Sequence, residues 1–216
     1  MAASARGFGS TLGGGSTDRI ELPAFVTPSS WSMSFWLNRN GGGGGGFGRI
    51  IEKNASEEVN VLQNGTTSIL IGVAYSTTRG EWEITDAAAN VGSQWIHLLL
   101  TGDGTATSGA FKAYVNGKPA TVSTTTTPVG TPTSTSGTML IGNRADLIRN
   151  YDGMIGDFAM ASGLVATQSA HHTFTYYQRT WRKQRSRHNR FFSVARINVE
   201  AKLQTSLECT ACATTP

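Results

Sequence analysis

The residues best placed to do chemistry are two glutamates that flank a tryptophan, in the run Glu81-Trp82-Glu83. Residues two apart on a strand share a face, so both carboxylates would point the same way. A pair of carboxylates about 5–5.5 Å apart is the machinery of a retaining glycoside hydrolase. The alternative is a strand whose exposed charges flank a buried Trp82. We favour this alternative and predict no enzyme.

A histidine is the second candidate for catalysis. His97 lies in the apolar segment Trp95–Thr101. A neutral imidazole could act as a base, but no serine or cysteine nucleophile with a supporting acid can be identified from spacing. We therefore expect a core or edge histidine that makes a hydrogen bond.

The elements that would carry these residues are short strands bounded by turn-forming residues. The chain has 216 residues, of which 26 are glycine and 15% are charged, a composition that favours strands and tight turns over helices. Asn116-Gly117 is the strongest signal for a type I′ hairpin. Eleven strands are predicted by alternation or β-branched content: 19–25, 32–38, 49–53, 59–63, 68–74, 81–85, 95–101, 111–115, 118–122, 138–142 and 153–160.

This pattern predicts an all-β fold, a two-sheet antiparallel jelly-roll sandwich. In Ser32–Asn38, alternation places Met33, Phe35 and Leu37 on one face. The run Gly41–Gly46 is expected to be a flexible loop, and Ser123–Gly137 a long surface crossover between strands.

Five segments, in the same order, resemble the laminin G-like jelly-roll family of the concanavalin A-like superfamily. The resemblance covers about residues 8–170 and implies the sandwich fold. It is carried by Gly15-Ser-Thr-Asp-Arg-Ile-Glu-Leu-Pro23 with Ser32-Met-Ser-Phe-Trp-Leu37, Trp95-Ile-His-Leu-Leu-Leu-Thr101, Ala113-Tyr-Val-Asn-Gly-Lys118, Leu140-Ile-Gly-Asn-Arg144 and Tyr151-Asp-Gly-Met-Ile-Gly-Asp157. Trp36 and Trp95 are large enough to fill the core of such a sandwich.

The resemblance also bears on catalysis and metal binding. Hydrolases of this superfamily use three acids at a spacing that Glu81 and Glu83 do not match. Its members often hold a structural Ca²⁺ with an aspartate of the last strand and backbone carbonyls, and Asp157 occupies the matching position. Ca²⁺ needs six to eight oxygen ligands. The alternative at Asp157 is a solvated strand carboxylate.

Ligand binding would use loops at one end of the sandwich. The connection between the last two strands offers planar polar groups and an aromatic ring, which are the groups that grip sugars. The predicted ligand-binding residues are Arg144, Asp146, Tyr151 and Asp152, with Trp82 as an alternative stacking platform. The simpler alternative is that this loop is merely polar.

Positive charge is concentrated in the C-terminal part of the chain. Residues 1–170 hold ten Lys/Arg and twelve Asp/Glu, a net charge of −2, whereas residues 171–216 hold eight and two, a net charge of +6. We predict a jelly-roll domain over residues 1–165 and a basic C-terminal extension over residues 166–216. The extension is expected to contain a short helix and then, over residues 195–203, an alternating strand-like arm.

The extension is predicted to be an assembly arm, because an alternating strand needs a partner. The residues expected to contact a second copy or a neighbouring protein are Arg179, Trp181, Arg182, Arg185, Ile197, Val199 and Leu203. The same basic and aromatic run could bind nucleic acid, but no nucleic-acid fold signature accompanies it and that partner is not favoured.

Together these features predict a non-catalytic recognition module for carbohydrate or a cell surface. The alternative is a structural protein of a larger assembly such as a virion, as a capsid decoration or tail-associated protein. Neither a signal peptide nor a membrane span is recognised in the sequence. We therefore expect synthesis in the cytosol, followed by incorporation into a virion or release by a non-classical route.

Overall fold

A computed structural model describes residues 3–5, 19–54, 58–85 and 94–164, with the backbone alone for Ala3–Ala5. All the residues predicted for the assembly arm lie outside this part of the chain, as do the predicted helix and the rest of the C-terminal extension. Nothing in the structure therefore bears on those predictions.

The described residues form two antiparallel sheets, and they contain no α-helix. Sheet I has the strand order β1-β13-β3-β8-β9-β10, and sheet II the order β11-β7-β6-β5-β4-β12-β2. The strands are β1 Ala3–Ala5, β2 Ile20–Val26, β3 Trp31–Arg39, β4 Arg49–Lys53, β5 Val59–Asn64, β6 Ser68–Val73, β7 Gly80–Ile84, β8 Ile96–Gly102, β9 Phe111–Val115, β10 Lys118–Pro119, β11 Val122–Thr126, β12 Ser136–Ile141 and β13 Gly153–Ser162. The all-β sandwich prediction is confirmed.

Alternation along β3 places one set of side chains in the core. Met33, Phe35 and Leu37 are all fully buried against sheet II, as predicted. Trp36 has the opposite phase and is only half-buried on the outer face of sheet I, where its ring contacts His97 at 5.3 Å. The prediction that Trp36 fills the core is wrong, because a period of two cannot place neighbouring residues on the same face. Trp95, just before β8, is also only half-buried.

The hairpin after β9 forms as predicted, but its return strand is short. Asn116 and Gly117 both have positive φ, 51° and 78°, which a type I′ turn requires. The return strand β10 ends at Pro119, which has no N–H to continue a ladder. The chain then crosses to sheet II, where β11 pairs with β7 as an edge strand. The predicted strand 118–122 is therefore divided between the two sheets.

The glycine run is held in a defined conformation, contrary to the expected flexible loop. Its last residues form a 3-10 turn, Gly44–Gly46. The Gly44 N–H donates to the Asn150 carbonyl at 2.9 Å, and Gly48 N–H to Gly42 at 3.1 Å. Gly43, Gly45 and Gly46 have positive φ, which glycine adopts at little cost. Glycine here permits a turn that packs against the loop before β13.

No helix in the described residues has the length and apolar character to span a membrane.

Candidate functional site

An open hollow of about 210 Å³ lies on the outer face of sheet II, and arginines dominate its wall. We call it the arginine hollow. Strands β4 to β7 form its floor, and the loops before β4 and before β13 form one side. It is lined by Phe47, Arg49, Asn60, Leu62, Leu70, Arg79, Glu81, Arg144 and Arg149.

Strand register creates an apolar centre in the floor. On β5, Val59 and Val61 point into the core, so Asn60 and Leu62 point outward. Leu62 is directly opposite Leu70 of β6. Leu62 is only 4% exposed and Leu70 is half-buried, so the small apolar surface that faces the hollow belongs mainly to Leu70. The non-polar face of a sugar ring or an aliphatic group can cover such a surface.

Arg79 is held at one wall of the hollow by its neighbours. A Cβ added to Gly72 would lie within contact distance of the Arg79 guanidinium, so the missing side chain leaves the space that this group fills. Arg79 Nε is 3.5 Å from Glu81 Oε1. Thr126 Oγ1 donates to the other Glu81 oxygen at 3.4 Å. Arg79 therefore has a defined position on the face of the sheet.

The loop before β13 brings two further arginines to the hollow. The buried Asn143 side chain organises this loop, because its Oδ1 accepts hydrogen bonds from the backbone N–H of Arg144 at 2.8 Å and of Arg149 at 3.2 Å. Both guanidinium groups consequently line the same hollow. An asparagine that binds two amides of its own loop is a common turn device.

Asp146 is paired with the first of these arginines. Arg144 Nε donates to Asp146 Oδ2 at 2.9 Å, and Arg144 Nη2 contacts the same oxygen. The Ile148 N–H donates to Oδ1 at 3.2 Å. The hydrogen bonds from Arg144 are the main reason that the pKa of Asp146 is lowered, and Arg149 contributes by its charge. The Asp146 side chain remains 44% exposed.

Arg149 binds neutral partners. Its Nη1 is 3.3 Å from the carbonyl oxygens of both Gly44 and Gly45, and its guanidinium lies over the Phe47 ring at 5.6 Å from the centroid. No ion pair joins Arg149 to a carboxylate of the described residues. Phe47 itself is 44% exposed. Arg149 therefore adds positive charge that no side chain in the described part of the hollow neutralises directly.

The deepest polar groups lie where β4 meets β5. Arg49 and Glu52 are both buried and form an ion pair at 3.6 Å. Asn60 is only 2% exposed, and its Oδ1 has no hydrogen-bond partner in the structure. A buried acceptor without a donor is uncommon and costs stability. Because this oxygen has almost no exposed surface, a group that enters the hollow reaches it only if the Asn60 side chain moves.

The predicted ligand-binding residues are divided by the structure. Arg144 lines the hollow and Asp146 lies beside it. Asp152 is half-buried next to Gly41 and is absent from the lining. Tyr151 is fully buried, and its hydroxyl donates to the Asn38 carbonyl at 3.1 Å. Burial raises the pKa of the Tyr151 phenol.

Trp82 cannot be the exposed stacking platform that was proposed for it. Its side chain is 1% exposed, its ring stacks on Phe111 at 5.5 Å between centroids, and its Nε1 donates to the Ser108 carbonyl at 3.0 Å. Trp82 and Tyr151 were the two aromatic residues expected to contact a ligand, and both are core residues instead. Each ring lies on an inward position of the sandwich, where its polar atom finds a backbone carbonyl.

Most of the hollow was missed from sequence. Arg49, the pair Asn60 and Leu62, and Leu70 lie on three different strands, and only the register of β4, β5 and β6 brings them together. Arg149 could have been identified from the sequence, since it follows Arg144 by five residues in the same polar loop.

The two glutamates share the outer face of β7, as predicted, and both carboxylates have partners. Glu83 Oε1 accepts hydrogen bonds from Asn64 at 2.9 Å and from Ser68. Glu81 is paired with Arg79. The neighbours of these carboxylates hold them in place, as expected of groups that organise a sheet face.

His97 lies on the outer face of sheet I, away from the hollow. It is 2% exposed, and burial lowers the pKa of its imidazole to about 4. Its backbone N–H donates a hydrogen bond to Asn116 Oδ1 at 2.9 Å. A neutral buried imidazole packed on Trp36 matches the expected structural histidine.

Asp157 has a backbone role that sequence did not suggest. The pairing of β13 with β3 shifts register between Gly156 and Ala159, and Asp157 lies in this β-bulge with φ of 49°. Aspartate tolerates this left-handed conformation better than most residues. The described residues contain no group of three Asp, Glu, His or Cys side chains that could hold a metal. They therefore do not supply a carboxylate cage for Ca²⁺, and calcium at Asp157 stays a prediction.

A family model of laminin G type, described as the concanavalin A-like lectin/glucanases superfamily, matches residues 13–169. The chain belongs to this superfamily. The resemblance inferred from five segments is thereby confirmed, and the match extends over every described strand except β1. No curated protein matches the sequence.

Solved structures with the same fold are distant in sequence. A heptameric SAP-like pentraxin from Limulus polyphemus has a TM-score of 0.51 at 12% identity, over 71% of this chain and 73% of its own. The binding domain of botulinum neurotoxin serotype G has a TM-score of 0.55 at 13% identity, over 82% of this chain and 46% of its own.

A structure of botulinum neurotoxin type C, whose cell entry is described as dependent on two ganglioside molecules, has a TM-score of 0.54 at 15% identity. It too is matched over 82% of this chain and 46% of its own. The present chain thus spans about half the length of the neurotoxin chains that it matches. At these identities the likeness establishes the fold.

Proposed function

We propose that this protein is a non-catalytic carbohydrate-recognition module, and that its ligand binds in the arginine hollow. The observation that carries the proposal is the composition of the hollow. The half-buried Leu70 side chain lies in its floor, beside the forked hydrogen-bond donors of the arginines. Sugars present a non-polar ring face and a rim of hydroxyls, which this combination of groups complements.

The non-catalytic part of the proposal is supported by the state of the candidate acids. Glu83 already accepts hydrogen bonds from Ser68 and Asn64, and Glu81 is tied to Arg79. The superfamily includes both lectins and glucanases by its description. The distant ganglioside-dependent relative makes a binding role on a cell surface a natural extension of the proposal.

A variant that fills the hollow tests the proposal. Leu70→Trp places a large side chain outward on β6, in the centre of the floor. Its matched control is Ser123→Trp, an exposed position on β11 of the same sheet and outside the hollow. Both variants and the unmodified chain would be applied to a glycan array.

We expect array binding by the unmodified chain and by Ser123→Trp, and its loss in Leu70→Trp with an unchanged circular dichroism spectrum. Equal binding by all three proteins would place the site elsewhere. An empty array for the unmodified chain, or turnover of a bound glycan that Glu81→Gln abolishes, would contradict the proposed function itself.

A further inference from the structure

We propose that the side of the hollow formed by Arg144 and Arg149 is an oxyanion subsite, and that the glycan it selects carries carboxylate or sulfate groups. This inference rests on the proposed function and adds the chemical class of the ligand. It depends on how charge is distributed among the arginines of the hollow.

Three of the four arginines that line the hollow are each paired with a carboxylate. The pairs are Arg49–Glu52, Arg79–Glu81 and Arg144–Asp146. The fourth, Arg149, lies on the loop side, where it binds only two carbonyls and the Phe47 ring among the described residues.

Asp146 shows how an oxyanion would be held there. Two nitrogens of Arg144 contact one Asp146 oxygen, the Ile148 N–H binds the other, and Arg149 acts on the same carboxylate through its charge. Guanidinium groups bind carboxylate and sulfate oxygens strongly because their donors form a planar fork. Since Asp146 is 44% exposed, it can turn toward solvent and leave its position to a ligand anion. Asp146 thus occupies the subsite as an internal competitor.

The groups next to the subsite favour a substituted sugar over a bare ion. The half-buried Leu70 side chain offers an apolar surface that a small anion would leave uncovered. Guanidinium donors of the other arginines in the hollow can bind the hydroxyls of a sugar. A ring that carries both an oxyanion and hydroxyls therefore matches the hollow better than either group alone.

Calorimetric titration with four probes tests the inference. The probes are an oligosaccharide of glucuronic acid, a neutral glucose oligosaccharide of equal length, its sulfated derivative, and inorganic sulfate. The variants are Arg144→Gln and Asp146→Asn. Lys112→Gln, which removes one exposed positive charge from β9 of sheet I, is the control. Thermal unfolding would establish that all three variants fold.

We expect both acidic oligosaccharides, or one of them, to bind at least tenfold more tightly than the neutral one. Arg144→Gln should weaken that binding about tenfold, a typical loss for one charged hydrogen-bonding group. Asp146→Asn should strengthen it about threefold, because the competing charge is gone. Lys112→Gln should leave it unchanged. The preferred probe tells carboxylate from sulfate.

Other outcomes overturn the inference and separate it from the proposed function. Equal binding of neutral and acidic oligosaccharides through the hollow would leave the function standing and remove the oxyanion subsite. Binding of inorganic sulfate as tight as that of any oligosaccharide would show an adventitious ion only. An unchanged or weakened affinity in Asp146→Asn would also contradict the role given to Asp146. Absence of binding to every oligosaccharide would remove both.

Discussion

The guanidinium of Arg79 lies over the backbone of Gly72, in the space that a side chain at position 72 would occupy. Gly80, on the neighbouring strand β7, has an equally close neighbour of a different kind. A Cβ there would overlap the ring of Trp82, which is buried in the core. One glycine faces a flexible side-chain end, and the other faces a rigid indole.

These two glycines should respond differently to alanine. Gly72→Ala is expected to displace Arg79 and to change the free energy of unfolding by less than about 1 kcal/mol, since alanine suits a strand better than glycine. Gly80→Ala should destabilise the fold by about 1–3 kcal/mol, the usual cost of overpacking a core. Urea unfolding of both variants measures the difference. Equal losses would mean that Arg79 is as fixed as Trp82.

Removal of the Tyr151 hydroxyl tests whether that residue is structural. Tyr151→Phe deletes the hydrogen bond to the Asn38 carbonyl inside the core, so the free energy of unfolding should fall by about 1 kcal/mol. Binding to any glycan that the protein recognises should be unchanged, because the buried ring cannot touch it. A loss of binding at unchanged stability would restore the ligand-contact role predicted from sequence.

Buried His97 should make stability depend on pH. Its pKa is about 4 in the folded protein and close to 6.5 when unfolded, so the unfolded chain takes up the proton first as pH falls. Above pH 6.5 both states are neutral and the residue makes no pH-dependent contribution. Between about pH 6.5 and pH 4 stability should fall progressively, by a total on the order of 3 kcal/mol.

The variant His97→Gln isolates this effect. Its free energy of unfolding should change less between pH 7 and pH 4.5 than that of the unmodified chain, whatever its absolute stability. Chemical unfolding at both pH values provides the comparison. Parallel pH profiles for the two proteins would assign the acid sensitivity to other groups.

Calcium binding and backbone strain make opposite predictions for Asp157. If the residue serves only the β-bulge, Asp157→Gly should fold with equal or greater stability, because glycine adopts positive φ freely. Melting temperature should then be the same in Ca²⁺ and in a chelator. If Asp157 binds calcium, Ca²⁺ should raise the melting temperature of the unmodified chain, and Asp157→Gly should abolish that increase.

The predicted assembly arm has its own measurement. If Arg179, Trp181, Ile197 and their neighbours join copies of the protein, a chain lacking residues 179–216 should contain fewer subunits, as measured by light scattering. An equal number of subunits before and after the deletion would reject that role. If the full chain binds single-stranded DNA and the truncated chain does not, the nucleic-acid alternative would be favoured instead.

The sandwich fold and the inward residues of β3 could be predicted from the sequence, because the period of two of a strand shows as alternation between neighbouring residues. It failed for Trp36, whose size suggested a core position that the phase of β3 rules out. The favoured interpretation of Trp82 as a buried residue between two outward glutamates is confirmed, and its alternative use as a stacking platform is not. The hollow was beyond local patterns. Its floor depends on the register of Leu62 against Leu70, and its charged side depends on a loop that Asn143 folds.

The pairing of β1 with β13 has a consequence for how this body can be combined with other polypeptides. Ala3 is aligned with Met160, so the first and last described strands run side by side in sheet I. Because the start of β1 lies near the end of β13, a host protein could accommodate the whole sandwich as an insertion at a single point of its own chain.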